Sequence, residues 1–179
     1  MSLIYITGLP GAGKSAALAE LKRRGFEAYG LDEDSYGSWL HRSSQERHEL
    51  PDTDDELDLH EWFATHHWSA SIERISELAA HSSDRTVFLC GNASDDDKAR
   101  HLFDTIFVLQ VDDELLQHRL MNRTNNQYGK HPDELNEVMK WHTPEYYHDY
   151  EQYGAILVDS TKPIAIVVDT ILAHVSDQN

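Results

Sequence analysis

The chain is short of cysteine, of basic residues and of long apolar runs, and each shortage narrows what it can be. A single cysteine, Cys90, in 179 residues allows neither a disulfide framework nor a Cys-based zinc site, so a reducing compartment is expected. Lys and Arg total 15 against 32 Asp and Glu, for a net charge of −17, and most of the exterior therefore repels a polyphosphate backbone or an anionic membrane surface. Nucleic acid and membranes are not expected partners. No stretch approaches the ~20 apolar residues that a membrane span needs, and Met1-Ser2-Leu3-Ile4-Tyr5-Ile6 carries no basic region; a cytoplasmic location is expected. Twelve histidines are present, but His60, His66 and His67 lack ligand spacing with carboxylates on one face, which makes them a weak signal for a metal. Oligomeric state leaves no trace in the sequence.

What is present reads as one folding unit, residues 1–179, with 40% hydrophobic content to build a core. Strand-like runs occur at Leu3 to Thr7, Thr86 to Cys90, Thr105 to Val111 and Ala155 to Val158, with a weaker one at Glu27 to Tyr29. Helical patterns fill the gaps. Lys14 to Arg24 ends in cations and Gly25, as a helix C-terminus should; Asp112 can cap a helix through Leu115, Leu116 and Leu120; Pro163 can begin the last helix. Alternating strands and helices predict an α/β fold with a parallel sheet covered on both faces.

Two segments interrupt the alternation. Residues 35–82 hold the acidic stretch Glu49 to Glu56, then a predicted helix from His60 to Ala80 bearing Trp62, Phe63 and Trp68. A second, 124–133, is polar and turn-rich around Asn125-Asn126-Gln127-Tyr128-Gly129-Lys130. Either can cover a substrate; an ordinary helical insertion and an ordinary loop are the plain alternatives.

The most specific signal is Gly8-Leu9-Pro10-Gly11-Ala12-Gly13-Lys14-Ser15, a full G-x-x-x-x-G-K-[ST] match (Walker A) between an apolar strand and a helical pattern. Glycines let backbone N–H groups wrap phosphates, and the helix N-terminus adds partial positive charge. Lys14 reaches the β- and γ-phosphates, and the Ser15 hydroxyl can ligate Mg²⁺. Nucleotide contacts are expected from Gly8, Pro10, Gly11, Ala12, Gly13, Lys14, Ser15 and Ala16. A GTPase is disfavoured: Asp34-Ser35-Tyr36-Gly37 spells D-x-x-G but follows the weak strand, and Asn92-Ala93-Ser94-Asp95 lacks the lysine of a guanine-reading motif.

Downstream, Asp32 and Asp34 stand two apart after the second strand, and in extended backbone they would face the phosphate site together. Both are equally at home in a turn or N-cap. Arg119 and Arg123 share one helix face, where like charges repel unless an anion such as ATP lies between them. A solvated face paired to acidic neighbours is the alternative.

With these motifs the chain resembles the small-metabolite P-loop kinases of the nucleoside monophosphate kinase, shikimate kinase and gluconate kinase group, and over nearly its whole length the bacterial proteins described as broad-specificity nucleotide kinases. Shared landmarks of the latter are Phe103-Asp104, Gly129-Lys130-His131-Pro132 and Asp159-Ser160-Thr161-Lys162-Pro163. The resemblance implies a three-layer fold with a five-stranded parallel sheet ordered 2-3-1-4-5, a helical substrate insert and a short lid. It further implies that Asp32 helps hold Mg²⁺ with Ser15, that Asp32 or Asp34 orients or deprotonates an acceptor, and that Arg119 and Arg123, with Lys130 from the loop, lie over the ATP phosphates. Asp159 to Pro163 is then expected near the adenine, and Gly91 and Asn92 beside the acceptor, with a simple turn as the alternative there.

The expected function is ATP- and Mg²⁺-dependent transfer of a γ-phosphoryl group to a small metabolite. A nucleotide-binding switch with a protein partner is the alternative. Where monophosphate kinases place an arginine at the tip of the third strand, this chain reads Gly91-Asn92-Ala93-Ser94-Asp95. Arg42, Arg47 and Arg74 could compensate from the insert, yet the acidic run beside them opposes an anion. A neutral hydroxyl acceptor, such as a nucleoside or sugar, suits this lining better than a monophosphate. Trp39, Trp62 and Trp68 can stack a base or pack a core.

Overall fold

Alternation of side chains along strands decides how the molecule is layered. The computed structural model describes residues 2–51, 56–124 and 132–177. In chain order the first elements are β1 (Leu3–Thr7), α1 (Lys14–Arg23), β2 (Glu27–Gly30), β3 (Gly37–His41), β4 (Arg47–His48), α2 (Glu56–Thr65), β5 (His66–Ala70) and α3 (Ile72–His81). They are followed by β6 (Val87–Cys90), β7 (Thr105–Gln110), α4 (Asp113–Asn122), α5 (Pro132–Trp141), α6 (Pro144–Gln152), β8 (Ile156–Asp159) and α7 (Ile164–Asp177).

Five of the strands form one parallel sheet in the order β2-β6-β1-β7-β8, which, with its strands counted along the chain, is the expected 2-3-1-4-5. Leu3 pairs with Val87 and Ile4 with Thr105, so β1 is central and every one of its residues is buried. Residues two apart project to the same face. Ile4, Ile6, Phe88, Cys90, Phe107 and Leu109 pack with Leu18 and Leu21 of α1 and Val168 and Ile171 of α7. Leu3, Tyr5, Val87, Leu89, Ile106 and Val108 pack with Ile75 and Leu78 of α3 and Tyr147 and Tyr150 of α6. Near-continuous apolar strands are what a doubly covered sheet requires.

Local signals end the helices where expected. Gly25, at φ +85°, follows the basic last turn of α1, and Asp112 Oδ1 accepts the Leu115 N–H at 2.8 Å to start α4. At Gly91 an added Cβ would stand 2.2 Å from Leu31 Cβ, while the Leu31 N–H donates to Cys90 O at 2.8 Å. The close approach that Gly91 permits is thus one of the chain to itself, where a substrate was expected.

The insert departs from expectation. The helix predicted from His60 to Ala80 is two helices, α2 and α3, separated by strand β5. Together β4, β3 and β5 form a second, antiparallel sheet in that order, with Trp39 opposite Trp68 and His41 opposite His66. Helical periodicity misled because His66-His67-Trp68-Ser69-Ala70 finds a partner strand some thirty residues upstream, and Ser71 starts α3 afresh by accepting the Arg74 N–H at 3.5 Å. Pairing and capping outweigh a weak local propensity. Of the expected lid, residues 125–131, Lys130 among them, lie outside the described residues, as do 52–55 of the acidic stretch. Among the described residues no helix is long and apolar enough to cross a membrane.

Candidate active site

The loop from Gly8 to Gly13 leaves the carboxyl end of the central strand, where ligands of open α/β sheets collect. Its shape depends on glycine: Gly8, Gly11 and Gly13 sit at φ +148°, +86° and +110°, and a Cβ on Gly11 would press on Leu116 and Leu120 at 3.0–3.1 Å. Gly13 is also the N-cap of α1. It offers no side-chain cap, and no acidic residue occupies the first turn, so the positive end of the helix is left to an anion. That is the arrangement an ATP phosphate tail needs, and the residues fit it.

Lys14 is held over this loop, its Nζ donating to Gly8 O at 2.7 Å and Leu9 O at 2.9 Å. Burial lowers its pKa to about 8, against an opposing pull from the Asp32 carboxylate; the nearby Arg123 lowers it further. Arg119 crosses from α4 to the same place. Its guanidinium donates to Ala12 O at 3.2 Å, Ser160 Oγ at 3.2 Å and Ser160 O at 2.7 Å, and Ser160 Oγ in turn donates to Ala12 O at 2.7 Å. Burial also lowers the Arg119 pKa.

Asp32 follows β2 and points into the same space. Burial raises its pKa while Lys14 lowers it. Its side chain is nonetheless exposed to the cavity, so the desolvation is that of a concave, water-accessible wall and is modest in energy. Asp34 does not accompany it. Residues 31–35 form a turn, in which Asp34 Oδ2 accepts the Gly30 N–H at 2.7 Å and lies 3.4 Å from Lys22 Nζ. The expectation that both carboxylates face the phosphates assumed extended backbone; the turn sends Asp34 back to the Gly30 N–H and to Lys22 of α1, the local bonding that Asp favours in turns.

One cavity of about 1560 Å³ joins these groups. Pro10 to Ala16, Arg119 and Arg123 line one side; Asp32, Trp39, Phe63, His66, His67, Trp68 and Asn92 line another; Ser160, Lys162, Ile164 and Val167 close a third. Ligand pockets usually measure roughly 300–1,000 Å³, so this one exceeds the needs of a single small molecule. Of the insert arginines, Arg42 reaches the cavity, whereas Arg74 donates to Ser35 O at 2.6 Å and lies 4.9 Å from the centre of the Tyr36 ring. Trp39 packs edge-on against Trp62 and Trp68 at 5.0 and 5.3 Å; the tryptophans pack with one another, and Trp39 and Trp68 also face the cavity.

Ser15 is exposed at the cavity. Its hydroxyl and the Asp32 carboxylate are hard oxygen donors of the kind Mg²⁺ takes. His66 stacks on Trp62 at 4.0 Å, and its Nε2 lies 2.7 Å from His48 Nδ1; among the described residues no group of three or more His, Cys, Asp or Glu is placed to hold a metal ion. Ser160 lies in the stretch expected near the adenine, but its hydrogen bonds to Arg119 and Ala12 were not foreseen, because Ala12 is 148 residues away; His67 was not foreseen at the cavity, and its neighbour Asp95 is 28 residues away.

A family described as "AAA domain" matches residues 4–142. No curated protein matches the chain. Among solved structures, a gluconokinase from Sinorhizobium meliloti 1021 is 20% identical with a TM-score of 0.51, covering 98% of this chain and 91% of its own. Shikimate kinase from Aquifex aeolicus vf5 is 18% identical with a TM-score of 0.55, covering 98% and 97%. Deoxyadenosine kinase from M. mycoides with bound dATP is 14% identical with a TM-score of 0.54, covering 98% and 100%. At such identities the likeness is one of fold.

Proposed function

The chain belongs to the AAA domain family, and from that premise we propose that it is a P-loop kinase transferring the γ-phosphoryl group of ATP to an uncharged, hydroxyl-bearing small molecule. The observation that supports this is one cavity lined both by Lys14 and Arg119 and by Asp32 with the insert residues Trp39, Phe63 and Trp68. A nucleotide switch needs only the first of these walls.

In this function the N–H groups of the loop and of the first turn of α1 bind the phosphate tail. Lys14 and Arg119, with Arg123, neutralise charge on the transferring group, which is the main catalytic lever in phosphoryl transfer. Ser15, helped by Asp32, would hold Mg²⁺, which supplies further neutralisation when bound. Asp32 orients the acceptor hydroxyl and accepts its proton; desolvation moves its pKa toward that of a working base. Ser160 and Lys162, on the cavity wall, would meet the nucleoside end of ATP.

The test is ATP consumption with and without a panel of nucleosides, nucleoside monophosphates, sugars and hydroxy acids. Acceptor-dependent turnover that Lys14→Ala abolishes, in a variant that remains folded, is the expected result. A flat background with every acceptor would remove the kinase assignment in favour of a switch.

A further inference from the structure

A buried ion pair lies on the face of the sheet away from α1. Asp96, 5% exposed, accepts hydrogen bonds from Tyr150 Oη at 2.5 Å, Tyr5 Oη at 3.4 Å and Arg100 Nη2 at 3.3 Å. Arg100 is itself buried, lies 4.1 Å from the centre of the Tyr150 ring and donates to Asp149 Oδ2 at 2.8 Å. Burial raises the Asp96 pKa, while the hydrogen bond from Tyr150 and the charge of Arg100 pull it down. Stability alone does not call for such a pair, since well-packed apolar side chains in its place are often as stable or more so. Directed bonds do what apolar packing does not, which is to fix where a segment sits.

The segment so fixed is Asn92 to Asp95. Asn92, Ala93 and Ser94 line the cavity. The Ser94 N–H donates to Trp68 O at 2.9 Å, and Asp95 accepts Ser69 Oγ at 2.8 Å and the Ala70 N–H at 3.1 Å, with Lys98 Nζ 3.1 Å away. Asp95 is thus bonded to strand β5 of the insert, and the next residue, Asp96, to the central strand β1, whose end carries the phosphate loop. One peptide unit, with about 3.8 Å between its Cα atoms, leaves no slack between the two attachments. Arg100 extends the link to Asp149 of α6, the helix that follows α5, whose Met139, Lys140 and Trp141 also line the cavity.

From this, and resting on the kinase assignment, we infer that Asp96, with Asp95 on the insert side, is a positioning residue for phosphoryl transfer: the two adjacent carboxylates clamp the insert wall to the strand that carries the phosphate loop and so set the gap across which the γ-phosphoryl group passes. Neither carboxylate lines the cavity, so both act through the groups they hold. Movement of β5 against β1 has to break one set of these bonds. A misplacement of about 1 Å at the reacting atoms can slow a transfer step about 100-fold, whereas nucleotide binding, which needs the phosphate loop, is left as it was.

The test is a double-mutant cycle on the full chain with Asp96→Asn, which keeps the shape and removes the charge, and Asp95→Ala, which cuts the insert side and leaves the buried ion pair whole. Turnover is read with ATP, Mg²⁺ and whichever of the nucleosides, nucleoside monophosphates, sugars and hydroxy acids supports it in the wild-type chain, and ADP affinity is read by calorimetry. Each single variant should lose about tenfold or more in kcat while ADP affinity stays within about twofold, and the double variant should lose little more than the worse single one, because both changes break the same link. If Asp96→Asn does not fold, Asp95→Ala alone decides. Losses that multiply in the double variant, wild-type kcat in either folded single variant, an equal loss of ADP affinity, or unfolding of Asp95→Ala would overturn the positioning role and leave the kinase assignment standing. Absence of turnover with every acceptor in the wild-type chain would overturn both.

Discussion

Under the proposed function Lys14 should make ATP binding a proton-linked event, with a definite sign and size. The free protein holds this ammonium at a pKa of about 8, chiefly by burial, so about nine-tenths of it is charged at pH 7 and about one-tenth at pH 9. A phosphate tail beside it favours the charged form and raises the pKa back toward the ordinary lysine range near 10.4. Between those two values, binding must take up a proton. Above pH 8 the affinity for ATP should therefore fall by close to tenfold per pH unit, about 1.4 kcal/mol each; below pH 7 Lys14 should contribute almost no pH dependence. A terminal phosphate, with its second pKa near 6, has finished ionising before this window opens. Calorimetry in buffers of different ionisation enthalpy reads the uptake directly, rising from about 0.1 proton per ATP at pH 7 to about 0.9 at pH 9. The variant Lys14→Arg keeps a charge that does not titrate here and should flatten the profile. A wild-type affinity that stays level from pH 7 to 9, or an equal slope in Lys14→Arg, would refute the reasoning.

Other perturbations separate the remaining groups. Asp32→Asn should lower turnover roughly 10²- to 10⁴-fold, the usual worth of a general base, with little change in ATP affinity; steady-state kinetics showing equal loss of both would reassign Asp32 to nucleotide binding. Ser160→Ala removes the hydroxyl that joins Arg119 to Ala12 O and should slow turnover about tenfold, the effect of about 1.4 kcal/mol; an unchanged rate would show that the Ser160 carbonyl alone positions the guanidinium. Gly91→Ala drives a methyl group to within 2.2 Å of Leu31 Cβ. Overpacking of this kind costs about 1–3 kcal/mol, so the melting temperature should drop by about 2–4 °C per kcal/mol, and a scan showing no shift would mean that Leu31 moves freely.

Which features the sequence disclosed follows from how local their causes are. The phosphate loop is a contiguous pattern whose glycines, lysine and serine act through backbone geometry within eight residues, and it stands at the carboxyl end of the strand that its apolar neighbours announce. Arg119 was legible from helical spacing. Its partner Ser160 was not, since the two meet only because β8 lies beside β7. Strand β5 was hidden inside a helical pattern because its stability comes from pairing with β3. Asp34 misled for the opposite reason: the hydrogen bond to the Gly30 N–H closes a tight local turn, a conformation its sequence permits as readily as an extended one. His67 stood out only as one histidine among twelve, and its environment depends on Asp95, which no spacing rule connects to it.

Transfer itself is the most direct measurement. With ATP radiolabelled at its γ-phosphorus and the folded chain in Mg²⁺, label is expected to pass into a hydroxyl-bearing acceptor, and neither Lys14→Ala nor Asp32→Asn should support appreciable transfer. Label that remains on ATP, or appears only as inorganic phosphate whatever acceptor is offered, would contradict the assignment.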